Sequence, residues 1–142
     1  MRPKTRLDSV IKLEEEKEER RLREMAAAGR QVKSAQEALT GAQAAARTDH
    51  RRAASATDWL VAENAHARAL GDVRSAENAV KTAASAEGAT RQAYTQAHSK
   101  AEALRRVAQA RVDEIVTERQ KAESRELDEL GVITFNAAPR TN

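Results

Sequence analysis

"WLVAENAHARALGDVRSAENAVKTAASAEGATRQAYTQAHSKAEALRRVAQARVDEI", residues 59–115, is the stretch whose reading decides the fold. Counted in sevens from Trp59, it passes through His66, Val73, Val80, Glu87, Tyr94, Ala101, Ala108 and Ile115, and Ala122 extends the ladder. Three residues on, a second ladder runs through Ala62, Ala69, Ala76, Ala83, Thr90, Ala97 and Leu104. Seven-residue spacing with a second seam three or four residues away is the pattern of a coiled coil. A disordered chain has no reason to keep such a phase. Alanine in the seam lets two helix axes approach to the lower end of the roughly 8–10 Å range. The expectation is a thin helical assembly, marginally stable because each layer buries little.

Toward the N-terminus, "LDSVIKLEEEKEERRLREM" (residues 7–25) carries a ladder of its own. From Ile11 it runs through Glu18, Met25, Val32, Leu39 and Ala46, and only Glu18 breaks it. The helix opens with Leu7, Val10, Ile11 and Leu13, turns almost wholly charged from Glu14, and resumes its apolar face at Leu22 and Met25. A helix inside a globular core would not do this. Either the charged turns at 14–21 face a partner, or they form a polar layer that fixes register in a solvated coil. Glu16 with Arg20, and Glu19 with Arg23, have the spacing of ordinary i,i+4 pairs.

Composition agrees with this. The chain has 142 residues and is 40% hydrophobic, but much of that is alanine; aromatics are 2%, with one each of Trp59, Tyr94 and Phe135. One alanine methyl buries little area, and apolar burial is worth roughly 25 cal/mol per Å², so a thick core is out of reach. Charge at 33%, with 5 Gly and 2 Pro, leaves long-helix proteins and disordered chains as the classes to separate. With 25 basic against 22 acidic residues the signs nearly balance and interleave, as on a solvated helix surface. Nucleic-acid binding through Arg51, Arg52, Arg105 and Arg106 is the weaker reading. The lack of cysteine removes disulfide and thiolate chemistry. No run of about 18 apolar residues is present, so no transmembrane segment is expected, and the start lacks the apolar stretch of a secretory signal.

Between Pro3 and Pro139 there is no proline. The best turn is "RTDHRRAASATDWL" (47–60), where Ser55 and Asp58 fit a capping box that opens a new helix. Thr5 and Asp8 form a similar pair before the first helix, and Gly71 is the rival hinge. We expect one coiled-coil hairpin over 1–130, all-α: helix one at about 5–48, a hinge at about 49–56 and helix two at about 56–130. Gly131 is the expected stop, with 131–142 a flexible C-terminal tail. At 1.5 Å per residue the helices measure roughly 65 and 110 Å, which leaves the C-terminal part of helix two without a partner.

No glycine-rich phosphate loop and no metal-ligand spacing occurs. His50, His66 and His98 stand apart and read as solvated or seam-edge residues. The carboxylates sit among Lys and Arg with no pocket to perturb them. Neither enzyme activity nor a cofactor nor a metal is expected.

The basic start leading into "RLDSVIKLEEEKEERRLREM", the Ala/Gln-rich helix after it, the midpoint break, and the close "RRVAQARVDEIVTERQKAESRELDEL" together resemble the FliJ/YscO family. These are coiled-coil stalk proteins of the export ATPases of flagella and type III secretion injectisomes, and the likeness spans about residues 4–130. It implies a long antiparallel two-helix hairpin, cytoplasmic, at the cytoplasmic face of the bacterial secretion apparatus. The end bearing both termini would sit in the pore of a hexameric export ATPase and promote its assembly. The hinge half would meet the export gate protein and export chaperones, the chain itself being peripheral to the membrane-embedded apparatus. Large apolar residues gather at the terminal end, so Leu7, Val10, Ile11, Leu13, Val112, Ile115, Leu127 and Leu130 are the candidate ATPase contacts. At the hinge end Leu39, Trp59 and Leu60 are the candidate gate and chaperone contacts; relatives often carry tyrosine or phenylalanine there, where Ala38–Asp49 offers Leu39 and alanines.

Other classes share parts of the pattern. A homo-oligomeric structural coiled coil has the same heptads, in parallel or tetrameric assemblies. A desiccation-type protein has the alanine content, but not large apolar residues such as Val73, Val80 and Ile115 at sevenfold spacing.

Overall fold

The structure, a computed structural model, describes residues 6–48 and 55–137. Two helices make up the fold, α1 (Asp8–Arg47) and α2 (Ala56–Ala137). They pack antiparallel as a two-helix hairpin, α2 returning along α1, so that residues far apart in sequence meet in pairs such as Glu18 with His98 and Glu15 with Arg105. Neither helix contains a proline, and the charged and alanine-rich stretches that form them favour helix. Asp8 and Asp58 sit in the first turns of the two helices and Arg47 in the last turn of α1, each with the sign the helix dipole prefers.

The start of α2 has the local chemistry expected of it. The Ser55 hydroxyl accepts from the Asp58 backbone N–H at 3.2 Å and donates to the Asp58 carboxylate at 2.7 Å. That is the N-cap half of the box, and it satisfies an amide that the first turn would otherwise leave open. The threonines inside the helices are accommodated by donating back to the preceding turn, as Thr40 does to Gln36 and Thr82 to Asn78, at 3.0 Å each.

The expected hinge falls largely on residues 49–54, which lie outside the described residues, as do His50, Arg51, Arg52 and the Thr5 of the first capping pair. α1 ends at Arg47 and α2 begins at Ala56, whereas Gly71, the rival hinge, lies inside α2. The stop at Gly131 does not occur. α2 continues through it to Ala137, and Thr134 donates to the carbonyls of Leu130 and Gly131 at 2.9 and 3.0 Å. Glycine ends a helix when it takes up a left-handed conformation; none of the described glycines has a positive φ.

Contacts divide the chain into two units, one of Glu16–His98 and one of Met1–Glu15 with Ser99–Asn142. In the first, the covered positions of α1 include Met25, Ala28, Val32, Ala35, Leu39 and Ala46. Those of α2 include Ala62, His66, Ala69, Val73, Ala76, Val80, Ala83, Glu87, Thr90, Tyr94 and Ala97. These are the two expected ladders except for Trp59, the first member of one, which is exposed; the other members in this unit are half-buried. In the second unit, Leu7 and Ile11 are half-buried, while Ala101, Ala108 and Val112 are the described apolar residues that are fully covered. Here the stripe on α2 drifts by one residue, from the register of Leu104 to that of Val112. A straight helix of 3.6 residues per turn drifts in this way against a strict seven-residue repeat.

Candidate docking surface

Of the eight residues expected to form the terminal contact set, four belong to the seam. Leu7, Ile11 and Ile115 are half-buried and Val112 is 6% exposed. Leu7 and Ile115 border an open groove, together with Arg6, Val107, Ala110, Arg111 and Glu114. The other four, Val10, Leu13, Leu127 and Leu130, present their side chains to solvent. The set therefore splits into residues that hold the helices together and residues left free to meet something else.

The free surface is largest past Ile115, where every described residue of 116–136 is exposed. Leu127 is 69% and Phe135 82% exposed, and Leu130, Val132 and Ile133 are open as well. Val132, Ile133 and Phe135 are not among the expected contacts, because a stop at Gly131 leaves them in a tail. As helix, at about 100° per residue, Leu127, Leu130, Val132, Ile133 and Phe135 point in five directions around the axis. Apolar side chains spread around an exposed helix in this way are not the single stripe that one neighbouring helix would cover. Glu126, Asp128 and Glu129 form an acidic collar on the same turns.

The hinge-side residues are not brought together. Leu39 is half-buried in the seam. Carrying the register of the Glu18–His98 pair along α1 sets Leu39 level with about position 77 of α2, some five turns from Trp59. Trp59, Leu60 and Val61 form a separate exposed apolar run at the start of α2. Val61 escapes a reading by periodicity because it lies on neither ladder.

The charged stretch at the head of α1 is the other notable feature. Glu14 lies on the seam, 6% exposed, with Lys100 Nζ at 3.3 Å from its carboxylate. In the same unit, Arg105 Nε donates to Glu15 at 3.1 Å and its Nη1 to Glu102 at 2.8 Å. Within the other unit, Glu18 occupies the seam position that breaks the ladder, and its carboxylate lies 2.6 Å from His98 Nδ1. The His98 ring stacks on Tyr94 at 5.8 Å. His98 is thus a seam-edge residue with a partner across the hairpin. Glu19 and Arg23 make the expected i,i+4 pair, and Arg21 pairs with Glu24 at 2.8 Å.

Among the described residues no group of three or more His, Cys, Asp or Glu is placed to hold a metal ion, and no helix is long and apolar enough to cross a membrane. Two antiparallel helices joined by a narrow heptad seam, with apolar side chains left open at the start of α2 and in its C-terminal part, define a helical hairpin of the coiled-coil class. The family model described as Flagellar FliJ protein matches residues 3–140, nearly the whole chain, and the protein belongs to the FliJ family. Membership implies a role connected with flagellar export. No curated protein and no solved structure matches the chain.

Proposed function

We propose that the protein is the central stalk of a flagellar export ATPase, acting as an adaptor and not as an enzyme. Its terminal end docks in the hexameric ring at the cytoplasmic face of the export apparatus. The other end reaches the export gate protein and the export chaperones through Trp59 and Leu60. The observation that carries this reading is the C-terminal part of α2: helical, exposed throughout 116–136, and carrying large apolar side chains from Leu127 to Phe135 that spread around the helix between acidic ones. A groove or a single neighbouring helix covers one stripe of such a segment, whereas a pore surrounds it. Membership of the FliJ family, which connects the chain with flagellar export, supports looking for that pore in the export machinery. Val10 and Leu13 add open apolar surface at the head of α1.

ATP hydrolysis by the cognate export ATPase, measured with and without the full chain, tests the proposal. The intact protein raises the rate. A variant carrying Leu127→Ser, Leu130→Ser, Ile133→Ser and Phe135→Ser keeps its helicity, because those side chains support no other part of the fold, and loses the stimulation. Full stimulation by that variant would overturn the assignment of the terminal end. A homo-oligomeric structural coiled coil predicts instead that the serine variant changes the oligomeric mass of the isolated protein and that the ATPase rate is indifferent to either form.

A further inference from the structure

A further stripe runs along the C-terminal part of α2. Alternating steps of three and four residues pass through Leu104, Val107, Arg111, Glu114, Glu118, Lys121, Arg125, Asp128, Val132 and Phe135. That is the spacing of a coiled-coil seam. All ten residues belong to one contact unit, and all but Leu104 are exposed. The stripe is distinct from the covered face of the same stretch, which carries Ala101, Ala108 and Val112. Three open grooves follow it. Val107, Arg111 and Glu114 border the one beside Leu7, Glu114, Glu118 and Lys121 the next, and Asp128 and Val132 a third. Its order has an unusual symmetry: two apolar residues stand at each end, and reading the six charges backwards gives the same series with every sign reversed.

We propose that this stripe binds the same stripe of a second copy, the two α2 helices running antiparallel. With a two-fold axis between Arg119 and Gln120, Leu104 of one copy faces Phe135 of the other, and Val107 faces Val132. Arg111 then faces Asp128, Glu114 faces Arg125, and Glu118 faces Lys121. The contact is isologous, so each pairing occurs twice. Every charge meets its opposite and every apolar residue meets another. A slip of one heptad destroys this. In one direction Arg111 meets Lys121 and Glu114 meets Glu118; in the other Glu118 meets Asp128 and Lys121 meets Arg125. Arg111 already holds Glu114 at 2.6 Å on its own helix, and the pairing extends that exposed contact to Asp128 and Arg125 of the second copy. Exposed ion pairs are individually weak and are screened by salt, so the association is modest in strength and salt-sensitive. Leu127, Leu130 and Ile133 lie off the stripe. The pairing does not rest on the export ATPase as partner, although a ring that enclosed this segment would compete for Val132 and Phe135.

Sedimentation equilibrium of the full chain tests the pairing. The mass should rise with protein concentration from 15.6 kDa toward twice that value, and fall back when salt is added. Arg111→Asp sets an aspartate against Asp128 of the second copy, and Asp128→Arg sets an arginine against Arg111. Each exchange alone should weaken the dimer about tenfold or more, because like charges then meet at two places. Mixed in equal amounts, the two variants should recover a dimer of the original strength. Only a pair containing one copy of each sets every Asp against an Arg, and native mass spectrometry should find that pair. Circular dichroism accompanies each variant, and recovery on mixing separates a lost contact from a lost fold. A mass of 15.6 kDa persisting at about 1 mM, the weak end of specific association, overturns the proposal and leaves the stripe to a partner other than this chain. A dimer that survives both single exchanges, or one that mixing does not restore, overturns it as well.

Discussion

The stretch of α2 from Ala62 to Ala97 and the stretch from Ala101 to Ile115 obey the same heptad rule but reach different degrees of burial. In the first, none of the ladder residues is more than half-buried. In the second, Ala101 and Ala108 are wholly covered and Val112 nearly so. The second stretch shares its unit with Leu7 and Ile11, half-buried, and with the covered Glu14 beside Lys100; in the other unit Met25, Val32 and Leu39 alternate with alanines. Heptad spacing fixes which residues face inward, and side-chain volume decides how much that is worth. With apolar burial at roughly 25 cal/mol per Å², stability concentrates in a few layers.

The comparison breaks most readily at Val112. Val112→Asp places a carboxylate at the one covered seam position among the described residues that holds a large apolar side chain, and should cost about 3 kcal/mol, or force the acid to stay protonated. Thermal denaturation should show the largest drop in melting temperature of any single seam change. Val80→Asp tests the thinner stretch. Its half-buried position lets water reach the new charge, so about 1–2 kcal/mol is expected. Glu87→Ala on the same ladder removes an exposed i,i+4 pair with Arg91 and should be neutral or mildly favourable. Equal melting temperatures for the Val80 and Glu87 variants would mean that this ladder does not face α1.

Smaller effects sharpen the picture at the ends of α2. Ser55→Ala removes the oxygen that accepts from the Asp58 amide and should cost about 1 kcal/mol. Amide exchange should report it as faster exchange in the first turns of α2. Gly131→Ala should act in the opposite sense. A methyl there meets open space and the backbone is already helical, so the C-terminal segment gains about 0.5–1 kcal/mol of local helix stability. Exchange around Thr134 should slow while the melting temperature of the paired stretches stays put. An unchanged rate would show that something other than glycine limits helix formation at this end.

The inward faces of both helices are legible in the sequence, because a seven-residue period needs nothing but spacing to be read. The capping box at Ser55 is legible for the same reason, its chemistry being local. The continuation of α2 past Gly131 is not. Glycine is compatible with both a stop and a continuing helix, and the outcome depends on the residues on its C-terminal side. A stop at Gly131 hides Val132, Ile133 and Phe135, which look unremarkable in a tail but add exposed apolar surface next to Leu127 and Leu130 once placed on a helix. Nor can the sequence show that Glu14 is more deeply covered than Glu15 or Glu18. Which of several adjacent carboxylates turns inward depends on the facing helix, and Lys100 lies 86 positions away.

A seam made of near-identical layers also bears on how such a chain changes over generations. Loss or gain of seven residues in α1, matched by seven in the facing part of α2, leaves every remaining side chain on its original face. Loss of a single residue turns everything beyond it by about 100° and sends the inward stripe out to water. Mutations that alter length within the alanine-rich stretch should therefore survive in paired multiples of seven, and Trp59 and the exposed segment 127–135 would then keep their surroundings while the number of layers between them varied.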